Sequence, residues 1–285
     1  SNSKTVRAVA TFKDDTVITD AMISDLAKKA LGQGTDAKNL LEAHVIRVEL
    51  NGYSSGKPVG KRAKEIVVHA LVSDCTPGVR SAIEGALQKI FPHLSPVFRS
   101  ATRAAITVFR ERASRENDYL LVDMESEGTS LTTVRNGATS EHELVPEGVQ
   151  TIVKKIAKPG LPEETLSLMR MLARDQCSDP ACKTIQESLA RVEPELVRVF
   201  GEAMGRSAAL HRLPDTLVLL AHPDILPWLS TLFARIDFAQ FTLTAQPFAV
   251  RTLSTANIIH SAQPQSGVVL DTGLALATEF VTGGE

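Results

Sequence analysis

The sequence predicts an α/β protein in two parts, a small strand-and-helix unit followed by a larger lobe. Three observations carry this. Short apolar runs such as Val45–Leu50 and Leu217–Leu220 alternate with stretches of helical period. A strand from Tyr119 to Val122 ends in a carboxylate, Asp123, and leads through a tight turn to a second strand, Ser130 to Val134, and an Asn136-Gly137 hairpin turn. The long stretch Pro180 to His211 repeats Ile185, Leu189, Val192, Leu196, Val199, Phe200 and Ala203 on one face, the spacing of a packed helix.

The elements follow in order. Thr5–Phe12 alternates well enough for a strand, and Lys13-Asp14-Asp15 turns the chain. Thr19 caps a helix over Asp20–Ala30, which Gly32 ends. Ala43–Leu50 is a strand, Asn51-Gly52 a turn, Tyr53–Arg62 a Gly- and Pro-bearing loop and Ala63–Val72 the returning strand. Pro77 opens a helix reaching Ile90, and Pro92–Pro96 is the exit from this strand–helix–strand–strand–helix unit. Helices are expected over Ser100–Phe109, Glu147–Ala157, Glu163–Arg174 and Ile225–Ile236, with a strand at Phe241–Leu243 and a closing helix near Leu270–Ala277.

Composition narrows the function. A chain of 285 residues can bury a sizeable core, and a net charge of −2 with its charges dispersed gives no argument for nucleic acid. Apolar runs are too short to span a bilayer, and no signal peptide is visible. Three cysteines suit a reducing compartment; Cys177 and Cys182, with no second Cys or His pair at ligand spacing, read as a plain loop rather than a metal or disulfide pair. Ser1-Asn2 reads as a remnant of tag removal, so the native chain is expected to extend further toward its N-terminus.

The strand–Asp123–turn–strand layout, the small unit placed before it and the order of the later elements together resemble the actin-like ATPases, in the manner of FtsA of cell division and PilM of pilus assembly. Further pieces agree: Val45–Tyr53 with Pro58-Val59-Gly60, the small-residue helix Ser100–Phe109, and Pro146-Glu147-Gly148 before the next helix. The resemblance implies an actin-like (ribonuclease-H-like) lobe with a small inserted FtsA-type α+β subdomain, residues 1–96 holding the first strand and the subdomain. Residues 97–285 would form the second lobe, with a helical insertion around 147–212. It also implies that a first phosphate loop lies in the part of the native chain before Ser1.

The chemistry this implies departs from the family pattern. In the family the turn after the Asp is glycine-rich, letting backbone N–H groups approach a phosphate. Here it is Met124-Glu125-Ser126-Glu127-Gly128-Thr129, with two carboxylates in place of glycines. Asp123 is the catalytic candidate, placed to orient water or a Mg²⁺ shell, against a plain role in capping the turn. Gly128, Thr129 and His222 are the nucleotide-binding candidates. His222 belongs to Ala221-His222-Pro223-Asp224, where the family has glycines around adenosine, and Pro223 removes an N–H. No metal-ligating set is expected. No Gly-x-Ser-x-Gly elbow or Walker run supports another chemistry, and a sugar-kinase relative would need a sugar-binding carboxylate that does not stand out.

The interaction candidates are Lys57, Lys61, Arg62 and Lys64, four cations in eight residues on a loop, able to meet an acidic protein tail or anionic headgroups, against a solvated turn. The expectation is therefore a non-catalytic scaffold at the inner face of the cell membrane, with protein partners in division or pilus machinery, self-association and no required cofactor. Membrane contact would be indirect or through a segment outside this fragment. The alternative is an active ATPase that binds ATP and Mg²⁺ once the N-terminal phosphate loop is present.

Overall fold

The computed structural model describes residues 2–32, 40–112, 117–136, 138–157, 160–177, 180–209, 211–260, 265 and 271–283. The chain divides into two compact units, Ser1–Arg103 and Ala104–Glu285.

The first unit is a four-stranded antiparallel sheet with order β1-β4-β2-β3: β1 (Asn2–Val17), β2 (Leu40–Leu50), β3 (Tyr53–Ser54) and β4 (Arg62–Asp74). β4 runs between β1 and β2 because α1 (Asp20–Gly32) crosses over one face, packing Leu26 and Ala30 against Ala8, Val48, Ile66 and Val68. Asn51 (φ 51°) and Gly52 (φ 82°) both take positive φ, the geometry of the two-residue hairpin turn that Asn-Gly favours. The Asn51 side chain also accepts the Lys64 and Glu65 amides at 2.9 and 3.0 Å, which stitches the β2–β3 turn to β4. α2 (Pro77–Ile90) follows. Buried Glu42 accepts the Ser100 amide at 2.9 Å, pairs with Arg103 and lies 3.6 Å from Arg99, so its charge is compensated.

The second unit is a five-stranded sheet with order β7-β6-β5-β8-β9. β5 (Tyr119–Met124), β6 (Thr129–Arg135) and β7 (Ala138–Val145) are an antiparallel meander; β8 (Thr216–Leu220) and β9 (Ala249–Thr252) run parallel to β5. Alternation along β5 and β8 builds two cores. Leu120, Val122, Leu217 and Leu219 face α4 (Val149–Ala157), α6 (Pro180–Ser207) and α7 (Leu226–Phe233). Tyr119, Leu121, Val218 and Leu220 face α3 (Ala101–Arg112), α8 (Thr255–Ile258) and α9 (Thr272–Thr282). The central strands are apolar at almost every position because both faces are covered. α5 (Pro162–Ala173) packs beside α4 and α6.

Two expectations are corrected, and one strand was not foreseen. Phe241–Leu243 is no strand: Phe241 ends a 3₁₀ turn begun at Ile236, and Thr242 makes one isolated parallel bridge to Leu213. The Thr242 hydroxyl, within reach of the Ala239 and Gln246 carbonyls at 2.9 and 2.8 Å, favours the turn. The strand beside β8 is instead β9, a four-residue edge element too short and too polar to stand out in the sequence. Cys177 and Cys182, the latter in the first turn of α6, form a disulfide, Cα–Cα 5.8 Å. Gly137 of the hairpin turn and Leu270 of the closing helix lie outside the described residues, and α9 begins at Thr272 with Asp271 as its cap, accepting the Leu274 amide at 2.7 Å.

Candidate functional site

Asp123 lies at the C-terminal end of β5, and the parallel register sets it beside Leu220 of β8. The two turns that carry the sequence candidates therefore leave the sheet side by side: Glu125–Gly128 after β5, and Ala221–Asp224 after β8. Ligands of open α/β sheets bind at strand carboxyl ends, so this is the place to look for a site.

The first turn is closed from behind by the start of α4. The Glu125 amide donates to the Gly128 carbonyl at 2.9 Å. The Glu125 and Ser126 carbonyls accept the Val149 and Gln150 amides at 2.9 and 2.8 Å. Those amides belong to the first turn of α4, where helix N–H groups have no partner within the helix and where an anion would otherwise be held. Gly148 makes this approach possible: a Cβ there would stand 2.4 Å from the Gly128 nitrogen and 2.6 Å from the Glu125 oxygen. The Thr129 hydroxyl, buried, turns inward and donates to the Glu147 carbonyl at 2.5 Å. Gly128 itself would put a Cβ 3.3 Å from the Val145 carbonyl, so its role here is close packing. Glu147 pairs with Lys155, which also reaches Glu195 at 3.0 Å, and accepts the Thr151 hydroxyl at 3.0 Å.

The electrostatics are those of an acidic surface. Glu125 and Glu127 are exposed. Burial, and secondarily the Glu125 charge, push the Asp123 carboxyl up to about 7, so at neutral pH it is divided between its charged and neutral forms. Nearby, burial lowers His142 to about 4, against the smaller opposing effect of Glu143, and its Nδ1 lies 2.9 Å from the Thr132 hydroxyl.

The second turn is held by its own side chains. Arg170 of α5 grips Asp224 with two hydrogen bonds, 2.7 and 2.6 Å. The Arg170 hydrogen bond holds the Asp224 carboxyl below the usual carboxylate range. His222 is exposed, its Nδ1 accepting the Asp224 amide at 3.3 Å.

The structure thus brings Asp123, Gly128, Thr129 and His222 to one edge of the sheet, while Lys57, Lys61, Arg62 and Lys64 belong to the first unit. All four cations are exposed; Lys61 donates to Ser55 at 3.0 Å and Arg62 to the Asp15 carbonyl at 2.7 Å. Sequence reasoning missed Arg170, 54 residues from its partner, for which no local signal exists. It named Gly148 only as part of Pro146-Glu147-Gly148; its position directly before a helix start was the available sign of a close backbone approach.

No protein-family model and no curated protein matches the sequence. Among solved structures, the PilM–PilN type IV pilus biogenesis complex matches with TM-score 0.54 and 14% identity, over 98% of this chain and 77% of that one. The chain has the actin-like fold. The PilM-like relation is one of architecture. The ethanolamine utilization protein EutJ of Carboxydothermus hydrogenoformans (TM-score 0.35, 16% identity) and apo pSK41 ParM (0.31, 14%) also match, over 52% and 59% of this chain and 47% and 42% of theirs. Within the second unit the β7-β6-β5-β8-β9 sheet carries the two turns described above at the carboxyl ends of β5 and β8. At these turns the Val149 and Gln150 amides are bonded to the turn, Glu125 and Glu127 stand exposed, and Asp224 is held by Arg170. Among the described residues no helix is long and apolar enough to cross a membrane.

Proposed function

We propose that this chain is a non-catalytic actin-like scaffold that links cytoplasmic-side machinery of pilus assembly or cell division through partner docking and self-association. The observation that carries it is the Glu125–Gly128 turn. A phosphate would require free N–H groups and no facing negative charge. Instead, the Val149 and Gln150 amides are bonded to the turn, and Glu125 and Glu127 stand exposed at its tip. Carboxylates at a phosphate position repel it unless a cation intervenes. The PilM match is itself a complex with PilN, which supports a protein partner for this chain, and the exposed cations Lys57, Lys61, Arg62 and Lys64, on the loop before β4 and on its first residues, are where an acidic segment of such a partner would dock.

Isothermal titration of ATP with Mg²⁺ into the full-length protein, with Asp123→Ala as control, tests this. The expected result is no heat at millimolar nucleotide. Micromolar binding that the control abolishes overturns the scaffold reading in favour of an ATP-gated actin homologue.

A further inference from the structure

The disulfide between Cys177 and Cys182 lies just past the end of the helix that clamps the second turn. That helix, α5, is lightly seated: of its 12 residues only Thr165 and Met169 are buried. Its last turn runs toward the disulfide through backbone hydrogen bonds. The Arg174 amide donates to the Arg170 carbonyl at 3.2 Å, the Asp175 amide to the Leu172 carbonyl at 3.1 Å, and the Gln176 amide to the Met171 carbonyl at 3.0 Å. Cys177 follows directly and is bonded to Cys182, the third residue of α6. The α6 end of this bond is firmly held, since Cys182, Ile185, Leu189 and Val192 are all buried. At the other end of the network stands Arg170, whose guanidinium grips Asp224 at 2.7 and 2.6 Å. One covalent bond therefore ties the segment that carries the clamp to the core of the second unit. A segment with so few buried side chains is where local opening begins.

We infer that the Cys177–Cys182 pair is a thiol–disulfide switch that sets how firmly α5 holds Arg170 on Asp224. Cys177 is partly exposed and Cys182 buried, so the thiolate of a small dithiol reaches the Cys177 sulfur. A bond forms there as the Cys177–Cys182 bond breaks, and the electron pair leaves on Cys182 Sγ. That sulfur sits in the first turn of α6, where unpaired helix N–H groups favour a thiolate, and a better-stabilised thiolate leaves faster. The second thiol of the reductant then displaces Cys177. The dithiol is thereby oxidised to a disulfide, and the pair gains two electrons and, by way of solvent, the two protons the dithiol gives up. Glutathione disulfide drives the reverse exchange and is reduced to two glutathione thiols. In a reducing compartment the pair stands open, and oxidation closes it. The two cysteines are only five positions apart, and a ring that short constrains the unfolded chain less than a long one. The bond accordingly acts on the end of α5 more than on the whole unit, and the redox state is felt at Asp224, in the turn beside Asp123. This switch operates whether or not the chain binds nucleotide.

Hydrogen exchange read by mass spectrometry is the test, on the whole chain equilibrated with glutathione disulfide or with dithiothreitol. A Cys75→Ser background removes the one free cysteine among the described residues. The oxidised sample should then show no thiol reactive toward maleimide under denaturing conditions. Amides from Met169 to Cys177 should exchange at least about tenfold faster after reduction, with about fortyfold the ceiling that the entropy of so short a ring sets. Exchange in α6 from Leu196 to Met204 should not change. Cys177→Ser with Cys182→Ala should show the fast α5 pattern in both buffers, and the Asp224 carboxyl titration should move upward on reduction as the clamp loosens. Two reactive thiols after glutathione disulfide, or an α5 that exchanges alike in both buffers, would overturn the inference. So would reduction that speeds α6 as much as α5, the mark of a bond that holds the whole unit together.

Discussion

Replacing Gly148 by Ala should unlock the turn that defines the candidate site. The new methyl would lie 2.4 Å from the Gly128 nitrogen and 2.6 Å from both the Glu125 oxygen and the Glu127 carbonyl carbon. All three are backbone atoms, so no side chain can rotate away. Ordinary contact begins near 3.4 Å, and the start of α4 must therefore part from the turn by about 1 Å. That separation breaks the Val149 and Gln150 bonds at 2.9 and 2.8 Å, a loss of about 0.5–1.5 kcal/mol each. Overpacking adds about 1–3 kcal/mol, while the stiffer unfolded chain returns about 0.4–1 kcal/mol. The net expectation is a destabilisation of about 2–4 kcal/mol, a fall in Tm of about 5–15 °C for a unit of this size. Thermal and urea unfolding followed by circular dichroism measure it. Gly85→Ala is the control, since nothing lies within 4 Å of its added Cβ; it should stabilise by up to about 1 kcal/mol through helix propensity. A Gly148→Ala variant within about 2 °C of the parent would refute the steric argument.

Two further outcomes follow from the charged groups. Asp123, raised to about 7 chiefly by burial, binds its proton more tightly in the folded than in the unfolded chain, so it favours folding most below its ordinary value near 3.8 and that contribution is lost as pH rises toward 7. Asp123→Asn should remove this slope, at most about 4 kcal/mol between those limits before solvent screening, in urea unfolding at pH 4 and pH 8; an unchanged slope would refute it. Asp224 has the opposite sign: lowered first by the Arg170 hydrogen bond, its contribution is present above its ordinary pKa and is lost as pH falls through the depressed one. Arg170→Ala should move the Asp224 carboxyl titration upward, read by carbon NMR, and an unmoved titration would mean the clamp does not operate in solution.

Much of the fold was legible in the sequence because it is written in local periodicity. Pro77–Ile90 reads as a helix from its proline and its spacing, and the structure begins and ends that helix at the same residues. Leu217–Leu220 reads as a buried strand because a sheet covered on both faces leaves no polar position. β9 did not show, since four residues at a sheet edge carry too little pattern, and Phe241–Leu243 misled because an apolar–Thr–apolar triplet suits a strand and a turn equally.

The candidate site divides along the same line. The sequence by itself determined which atoms are available: acids at Glu125 and Glu127 where glycines would serve a phosphate, a proline at 223, and a layout that points to an actin-like lobe. Only the tertiary structure decided what those atoms are committed to. That the α4 amides bond the turn, that Thr129 faces inward, and that Arg170 holds Asp224 across 54 residues are consequences of chain segments meeting in space. Periodicity reports which face of an element is buried; it carries no record of which distant donor will satisfy a given acceptor. Hydrogen bonds form over about 3 Å, and only packing fixes positions to that tolerance.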